Sequence, residues 1–201
     1  MESFINKKAL FLDRDGVINH MVMSEENTYD SPQNENSVKI ISEIIPILRF
    51  CNEHKIPVIE ITNQPGVAKG KLSLVMQESI EKKVHELLRR HNVYVDAVYT
   101  CPHHPEAINT DYKIDCACRK PKPGLLLQAS KDHQIHLSDS LFIGDNASDV
   151  EAAVSAGCTP ILFFHEHDEP KKITAKKNIV TDYYIHDLSE ALPIIKNRLT
   201  K

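Results

Sequence analysis

Two aspartates lie one residue apart, directly after a short apolar run. Asp13 and Asp15 follow residues 9–12, which we predict to form a buried strand, and Gly16 comes next. Glycine can take the strained turn that such a loop needs. One carboxylate could then act as a nucleophile, while the other donates and accepts protons. Taken alone, the pattern Asp-x-Asp-Gly is more typical of an ordinary polar turn, so its interpretation depends on the rest of the chain.

Polar residues also follow the strands predicted over 57–62 and 141–144. These residues are Thr62, Asn63, Gln64, Asp145 and Asp149. Arg119 and Lys120 precede a helix predicted over 124–133. Each residue alone could bond a backbone group or lie on the surface. Because open α/β sheets bind ligands at the carboxyl ends of their strands, we expect the whole set to share one site for phosphate and a divalent cation.

The composition is that of a globular protein. The chain has 201 residues, of which 41% are hydrophobic and 26% charged, so we expect a single domain over 1–201 with its own core. The formal net charge of −4 argues against a nucleic-acid partner. The N-terminal residues lack the apolar region of a signal peptide, and we find no apolar run of membrane-spanning length. We therefore expect a cytoplasmic protein without a membrane partner.

Short apolar runs alternate with amphipathic segments along the chain. Strands are predicted over residues 8–12, 57–62, 93–100, 141–144, 159–164 and 178–185. Helices are predicted over residues 38–54, 72–91, 124–133, 147–156 and 189–198. Residues on one face of the second helix are Leu72, Val75, Met76, Ile80, Val84, Leu87 and Leu88. The alternation predicts an α/β fold, a three-layer Rossmann-like parallel sheet flanked by helices. Residues 24–37 are predicted to form one long irregular loop. No segment between the motifs has room for a large cap domain.

Three of the five cysteines lie close together in sequence, within residues 101–118. Cys101, Cys116 and Cys118, together with His103, provide the thiolate and imidazole ligands of a closed tetrahedral zinc site. His104 is an alternative fourth ligand, and the residues could also be unrelated parts of a loop. A closed site would be structural, holding this loop and the cations that follow it. Cys51 and Cys158 lie on apolar segments and are predicted to be core thiols.

The ordered set Asp13-x-Asp15-Gly16, Thr62, Lys120 and Gly144-Asp145-x-x-x-Asp149 resembles the four motifs of the haloacid dehalogenase-like phosphatases. The resemblance extends over nearly the whole chain. It implies a Mg²⁺-dependent phosphomonoesterase in which Asp13 forms an aspartyl-phosphate and Asp15 is the acid and base.

The same resemblance implies roles for the other motif residues. Mg²⁺ would be held by Asp13, Asp145 and the backbone carbonyl of Asp15. Thr62 and Lys120 would hold the phosphate oxygens. Asp149 would orient either Lys120 or a metal-bound water.

The cysteine loop, which runs into Arg119 and Lys120, resembles one branch of that family. This branch comprises the D-glycero-D-manno-heptose 1,7-bisphosphate phosphatases and the histidinol-phosphate phosphatases. The twelve residues between His103 and Cys116 are similar to the heptose enzymes. This implies removal of the 7-phosphate in heptose biosynthesis, with Asn63, Gln64 and Arg119 binding the substrate.

Two other functions stay open from the sequence. The chain could be a histidinol-phosphate or other small-molecule phosphatase, or a catalytically silent, zinc-stabilised binding protein. We expect a monomer whose partner is a small phosphorylated sugar or similar metabolite. Residues 24–37 depart from the family pattern, so loops rather than a lid are expected to select the substrate.

Overall fold

The apolar runs of the sequence form the strands of one central sheet. The computed structural model describes residues 7–23, 28–165 and 181–200. The strands are β1 (Leu10–Leu12), β2 (Val22–Met23), β3 (Tyr29–Asp30), β4 (Val58–Asn63), β5 (Ala97–Cys101), β6 (Leu141–Gly144), β7 (Thr159–Phe163) and β8 (Tyr183–Ile185). The helices are α1 (Ile44–Glu53), α2 (Leu74–Arg90), α3 (Gly124–His133), α4 (Ala147–Ala156) and α5 (Ala191–Leu199). Within these residues, six strands pair in parallel in the order β5-β4-β1-β6-β7-β8.

Helices cover both faces of this sheet. In β1, Leu10 and Leu12 are buried in a cluster with apolar residues of α1, α2 and α5. Phe11 points to the opposite face and is buried with residues of α3 and α4. A strand that is buried on both faces has a continuous apolar sequence, as β1 has. The prediction of a three-layer α/β fold with a parallel sheet is confirmed.

Several predicted boundaries need correction. The first helix begins at Ile44 rather than at 38, because Pro46 cannot accommodate a helical carbonyl four residues before it. The strand predicted over 93–100 begins at Ala97, since the backbone of Tyr94 bonds instead to the side chain of Asn52. The start of the strand predicted over 178–185 lies outside the described residues.

One residue of the predicted apolar face of α2 is exposed. Val75 is 78% exposed, whereas Ile80, Val84 and Leu88 are buried. Ile80 lies five positions after Val75, which is a rotation of about 140° around the helix axis. Val75 therefore cannot share the buried stripe.

Residues 28–37 are more regular than predicted. The short strands β2 and β3 pair antiparallel, and a 3₁₀ turn covers Glu35–Ser37, whereas residues 24–27 of the predicted loop lie outside the described residues. The Asn34 side chain caps this turn by accepting from the backbone of Asn36 and Ser37. Ser31 of this segment contacts Asp15, which lies in the loop after β1. Among the described residues, no helix is long and apolar enough to cross a membrane.

The sheet order brings three of the predicted motifs to one edge. β1 lies between β4 and β6, with Leu12 beside Glu60 on one side and Ile143 on the other. The backbone N–H of Asp13 donates to the carbonyl of Ile143 at 2.9 Å, so the loops after β1 and β6 start side by side. The carboxyl ends of the strands where connections diverge form a crevice suited to ligands.

Candidate active site

Asp13 is fixed where β1 ends. Its Oδ1 accepts from the backbone N–H of Arg14 at 2.7 Å and lies 2.9 Å from Nζ of Lys120. Gly16 turns the following loop with φ of +88°. A Cβ atom there would lie 2.1 Å from Oδ2 of Asp145, so glycine is required for the loop to pass this carboxylate.

Three carboxylates converge in the crevice. Oxygen atoms of Asp13, Asp145 and Asp149 lie within 4.8 Å of one another. Burial, together with the charge of Asp149, raises the pKa of Asp13 to about 7, although Lys120 acts in the opposite direction. Burial likewise raises the pKa of Asp145 and of Asp149. Crowded carboxylate oxygens are the hard ligands that Mg²⁺ prefers, so the residues present fit this ion.

The side chain of Asp15 lies apart from that cluster and accepts five hydrogen bonds. Oδ1 accepts from Arg14 Nε at 3.3 Å and from Asn19 at 2.9 Å. Oδ2 accepts from Arg14 Nη2 at 3.0 Å, from Gln64 at 2.6 Å and from the Ser31 hydroxyl at 2.9 Å. Burial acts to raise the pKa of Asp15, but the Arg14 charge and these hydrogen bonds outweigh it and hold the pKa below its usual range.

Lys120 is a buried cation at the centre of the site. Its Nζ lies 2.7 Å from Asp149 and 2.9 Å from Asp13, and it donates to the carbonyl of Ile61 at 2.9 Å. Burial acts to lower the pKa of Lys120, but the two carboxylates outweigh it and raise the pKa above its usual value. Asn63 holds the backbone of Lys120 from both sides, accepting from its N–H and donating to its carbonyl at 3.1 Å.

The remaining predicted site residues lie around this centre. Thr62 is buried, and its Oγ1 accepts from the Gln64 side chain at 2.9 Å. Gln64 is also buried, so its amide nitrogen links Thr62 to Asp15. The half-buried Arg119 donates to the carbonyl of His103 at 3.1 Å. The amides of Asn63 and Gln64, which we predicted to bind substrate, therefore bond groups of the protein itself.

The predicted zinc ligands come together beside β5. Nδ1 of His103 lies 3.3 Å from Sγ of Cys118 and 3.7 Å from Sγ of Cys101. Sγ of Cys101 lies 3.1 Å from that of Cys118 and 3.6 Å from that of Cys116. These separations are too long for a disulfide and close to the edge of about 3.7 Å expected for a zinc–thiolate tetrahedron.

His104 does not join this cluster. Its Nδ1 accepts instead from the backbone N–H of Glu106 at 3.1 Å. The structure thus brings His103, and not His104, together with the three thiols. The donor set and its spacing fit zinc.

Sequence reasoning missed four residues that contact the site. Arg14 and Asn19 lie within the first motif, so their proximity to the two aspartates was a usable signal. His165 lies two residues after the end of β7, and its Nε2 lies 3.2 Å from Oδ2 of Asp145. A strand end at the same sheet edge could have indicated it. Ser31 gave no signal, because it reaches Asp15 from the loop that departs from the family pattern.

Comparisons with known proteins show what this chain is similar to. The HAD-hydrolase-like family profile matches residues 117–191. The chain is 32% identical over 194 residues to the D-glycero-beta-D-manno-heptose-1,7-bisphosphate 7-phosphatase of Haemophilus influenzae, covering 96% of this chain and 99% of that protein. It is 31% identical to the enzyme of the same name from Escherichia coli K12, covering 94% of each chain.

A solved structure is also similar. It is the D,D-heptose 1,7-bisphosphate phosphatase from B. bronchiseptica, complexed with magnesium and phosphate. The TM-score is 0.77 at 26% sequence identity, and the match covers 94% of this chain and 98% of that one.

Proposed function

The chain belongs to the haloacid dehalogenase-like phosphatases, and from this premise we propose that Asp13 is the nucleophile of a Mg²⁺-dependent phosphomonoesterase. The observation that carries the proposal is the environment of Asp13. Its carboxylate is oriented by the Arg14 N–H and by Lys120, and it shares a crevice with Asp145 and Asp149. An oriented carboxylate beside a fixed ammonium suits attack on an anionic phosphate.

In the first step, an Asp13 oxygen forms a bond to phosphorus while the bond from phosphorus to the ester oxygen breaks. Asp15 enters this step protonated and gives its proton to the departing alkoxide, which leaves it in the ionised form that its hydrogen-bond donors favour. In the second step, Asp15 takes a proton from water, whose oxygen attacks the aspartyl-phosphate and releases inorganic phosphate. Asp13 is thereby regenerated.

Lys120 and Thr62 stabilise the charge that moves onto the phosphate oxygens during both steps. Asp149 and Asn63 act through Lys120, because one bonds its ammonium and the other bonds its backbone. Asp13, Asp145 and the backbone carbonyl of Asp15 would hold Mg²⁺. When bound, this ion supplies positive charge that keeps Asp13 ionised and offsets its repulsion with phosphate.

We propose that Cys101, His103, Cys116 and Cys118 hold a structural zinc ion. Four protein ligands leave no open position for catalysis. The loop ends at Cys118, two residues before Lys120, so the ion would fix the start of the segment that carries the ammonium. Metal analysis should give about one zinc per chain. A purified, folded protein that contains far less zinc would contradict this assignment.

The proposed substrate is D-glycero-D-manno-heptose 1,7-bisphosphate, which would lose its 7-phosphate. The names of the relatives and the zinc loop support this choice. Arg119, at the edge of the crevice, would contact the sugar or its second phosphate. We also propose that residues 1–201 form one domain and act as a cytoplasmic monomer. Size-exclusion chromatography with light scattering tests the monomeric state.

Phosphate release is the direct test. The purified protein is assayed with the heptose bisphosphate and with histidinol phosphate, with Mg²⁺ and with a chelator. Asp13→Asn should abolish release, because an amide cannot form the aspartyl-phosphate. Asp115→Asn is the matched control, since the Asp115 side chain is 94% exposed.

The outcomes separate the alternatives. Faster release from histidinol phosphate would contradict the proposed substrate but keep the mechanism. Release that survives Asp13→Asn would refute the nucleophile. A folded wild-type protein that releases no phosphate from either ester would favour the silent binding protein.

A further inference from the structure

Ser31 contacts the proposed acid and base from outside the strand ends. Its hydroxyl donates to Oδ2 of Asp15 at 2.9 Å. The other donors to Asp15 belong to the loop after β1 or, for Gln64, to the loop after β4. Ser31 instead follows the short strand β3.

The backbone of Ser31 is held on both sides. Its N–H donates to Oδ1 of Asp30 at 2.8 Å, and its carbonyl accepts from the Gln33 side chain at 2.8 Å. The next residue, Pro32, is buried. These contacts hold the backbone of Ser31 and so fix its hydroxyl beside Asp15.

The segment 28–37 is also tied to the far side of the crevice. Asp30 forms an ion pair with Lys71, which lies between β4 and α2. Glu35 accepts from the hydroxyl of Ser79 on α2 at 2.5 Å. The segment therefore spans the site from the β1 side to the α2 side, with Ser31 between its two attachments.

The position of Ser31 distinguishes it from the other donors to Asp15. Its hydroxyl donates to Oδ2, the oxygen that also accepts from Arg14 and Gln64, but it does so from the segment that follows β3. Hydrogen bonds to a charged group are stronger than those between neutral groups, so this contact restrains the orientation of the carboxyl group.

We propose that Ser31 is a positioning residue for Asp15, holding its carboxyl group in the orientation that the phosphatase reaction needs. This inference rests on the proposed function. It assigns a specific role to residues 28–37, since this segment would place one of the groups that orient the proton donor.

The test compares Ser31→Ala with wild type on two aryl esters. Phenyl phosphate has a leaving group that needs a proton, whereas dinitrophenyl phosphate does not. The measured quantity is kcat/KM, which reports the steps through formation of the aspartyl-phosphate. We expect a loss of about 10- to 100-fold with phenyl phosphate, as for a lost hydrogen bond to a charged group, and a much smaller loss with dinitrophenyl phosphate.

Two further variants serve as controls. Ser31→Thr keeps the hydroxyl and should retain most of the activity. Ser37→Ala is the matched control, because it removes a serine hydroxyl of the same segment that donates to Asn34 and not to Asp15. If Ser31→Ala does not fold, Ser31→Cys keeps the shape with a weaker donor and is measured in the same way.

Unchanged kcat/KM in Ser31→Ala, or an equal loss on both esters, would overturn the inference while leaving the proposed function intact. A loss that Ser31→Thr fails to restore would also overturn it. A wild-type protein without activity on these esters and on the heptose bisphosphate would overturn the proposed function and this inference with it.

Discussion

Replacing Lys120 with methionine removes the cation at the centre of the site with little change in volume. The Lys120 side chain is 2% exposed, and its ammonium contacts Asp13, Asp149 and the carbonyl of Ile61. The variant leaves two buried carboxylates without this partner. Breaking a buried ion pair by removing one partner typically costs about 3–5 kcal/mol. In a protein of this size, that corresponds to a fall in Tm of roughly 6–20 °C.

The cost should depend on pH. Burial raises the pKa of Asp13 to about 7 from an ordinary value of 3.8, and it raises the pKa of Asp149 in the same direction. The folded protein therefore binds these protons more tightly than the unfolded chain does. Such groups favour folding at low pH, and that contribution is lost as the pH rises through the folded pKa. Without Lys120 these pKa values rise further. The penalty should therefore be small near pH 4, where both proteins keep these protons when folded, and it should grow above about pH 7, where wild-type Asp13 ionises while the variant's Asp13 keeps its proton.

Urea unfolding at several pH values, without Mg²⁺ but with the proposed zinc ion retained, measures this penalty. Lys122→Met is the matched control, because Lys122 is 46% exposed and its partner Asp115 is 94% exposed. Exposed pairs contribute about 1 kcal/mol or less. If Lys120→Met were as stable as Lys122→Met at about pH 8, or if its penalty grew on acidification, the reasoning about buried charge would be refuted.

Three further predictions follow from the same geometry. Without Mg²⁺, the wild-type free energy of unfolding should fall by up to about 4 kcal/mol between pH 4 and 7, because Asp13 ionises in the unfolded chain while it keeps its proton in the folded protein. Urea unfolding with saturating Mg²⁺ should show a smaller fall, and equal profiles with and without the ion would count against this. Gly16→Ala should lower the free energy of unfolding by about 1–2 kcal/mol, because alanine is strained at this positive φ. The added Cβ would also clash with Asp145 and weaken Mg²⁺ binding, and an unchanged affinity in calorimetric titration would contradict this. Cys118→Ser should lower the zinc content and Tm, whereas Cys158→Ser should keep the metal, and equal zinc in both would refute the proposed ligand set.

Much of the fold could be predicted because it depends on local patterns. The segments 124–133, 141–144 and 147–156 match the predicted elements residue for residue, since apolar runs, turns and caps mark their ends. The positions of Asp13 and Asp145 at strand ends followed from the same runs. The cluster of three cysteines and a histidine was predictable because its residues lie within one loop. Sequence could not choose between His103 and His104, since the choice depends on how the loop folds.

The tertiary structure decided which groups contact each residue. Gln64 reaches Asp15 across 49 positions of sequence, and Ser31 reaches it from a segment that no periodicity described. Asn63 stays a predicted substrate contact, and its amide also bonds the backbone of Lys120 across 57 positions, which no sequence pattern indicated. A hydrogen bond between distant residues depends on strand order, on register and on the packing of loops. Sequence patterns report the preference of each segment by itself. The sequence therefore determined which residues could do chemistry, whereas only the folded structure determined which groups hold them in place.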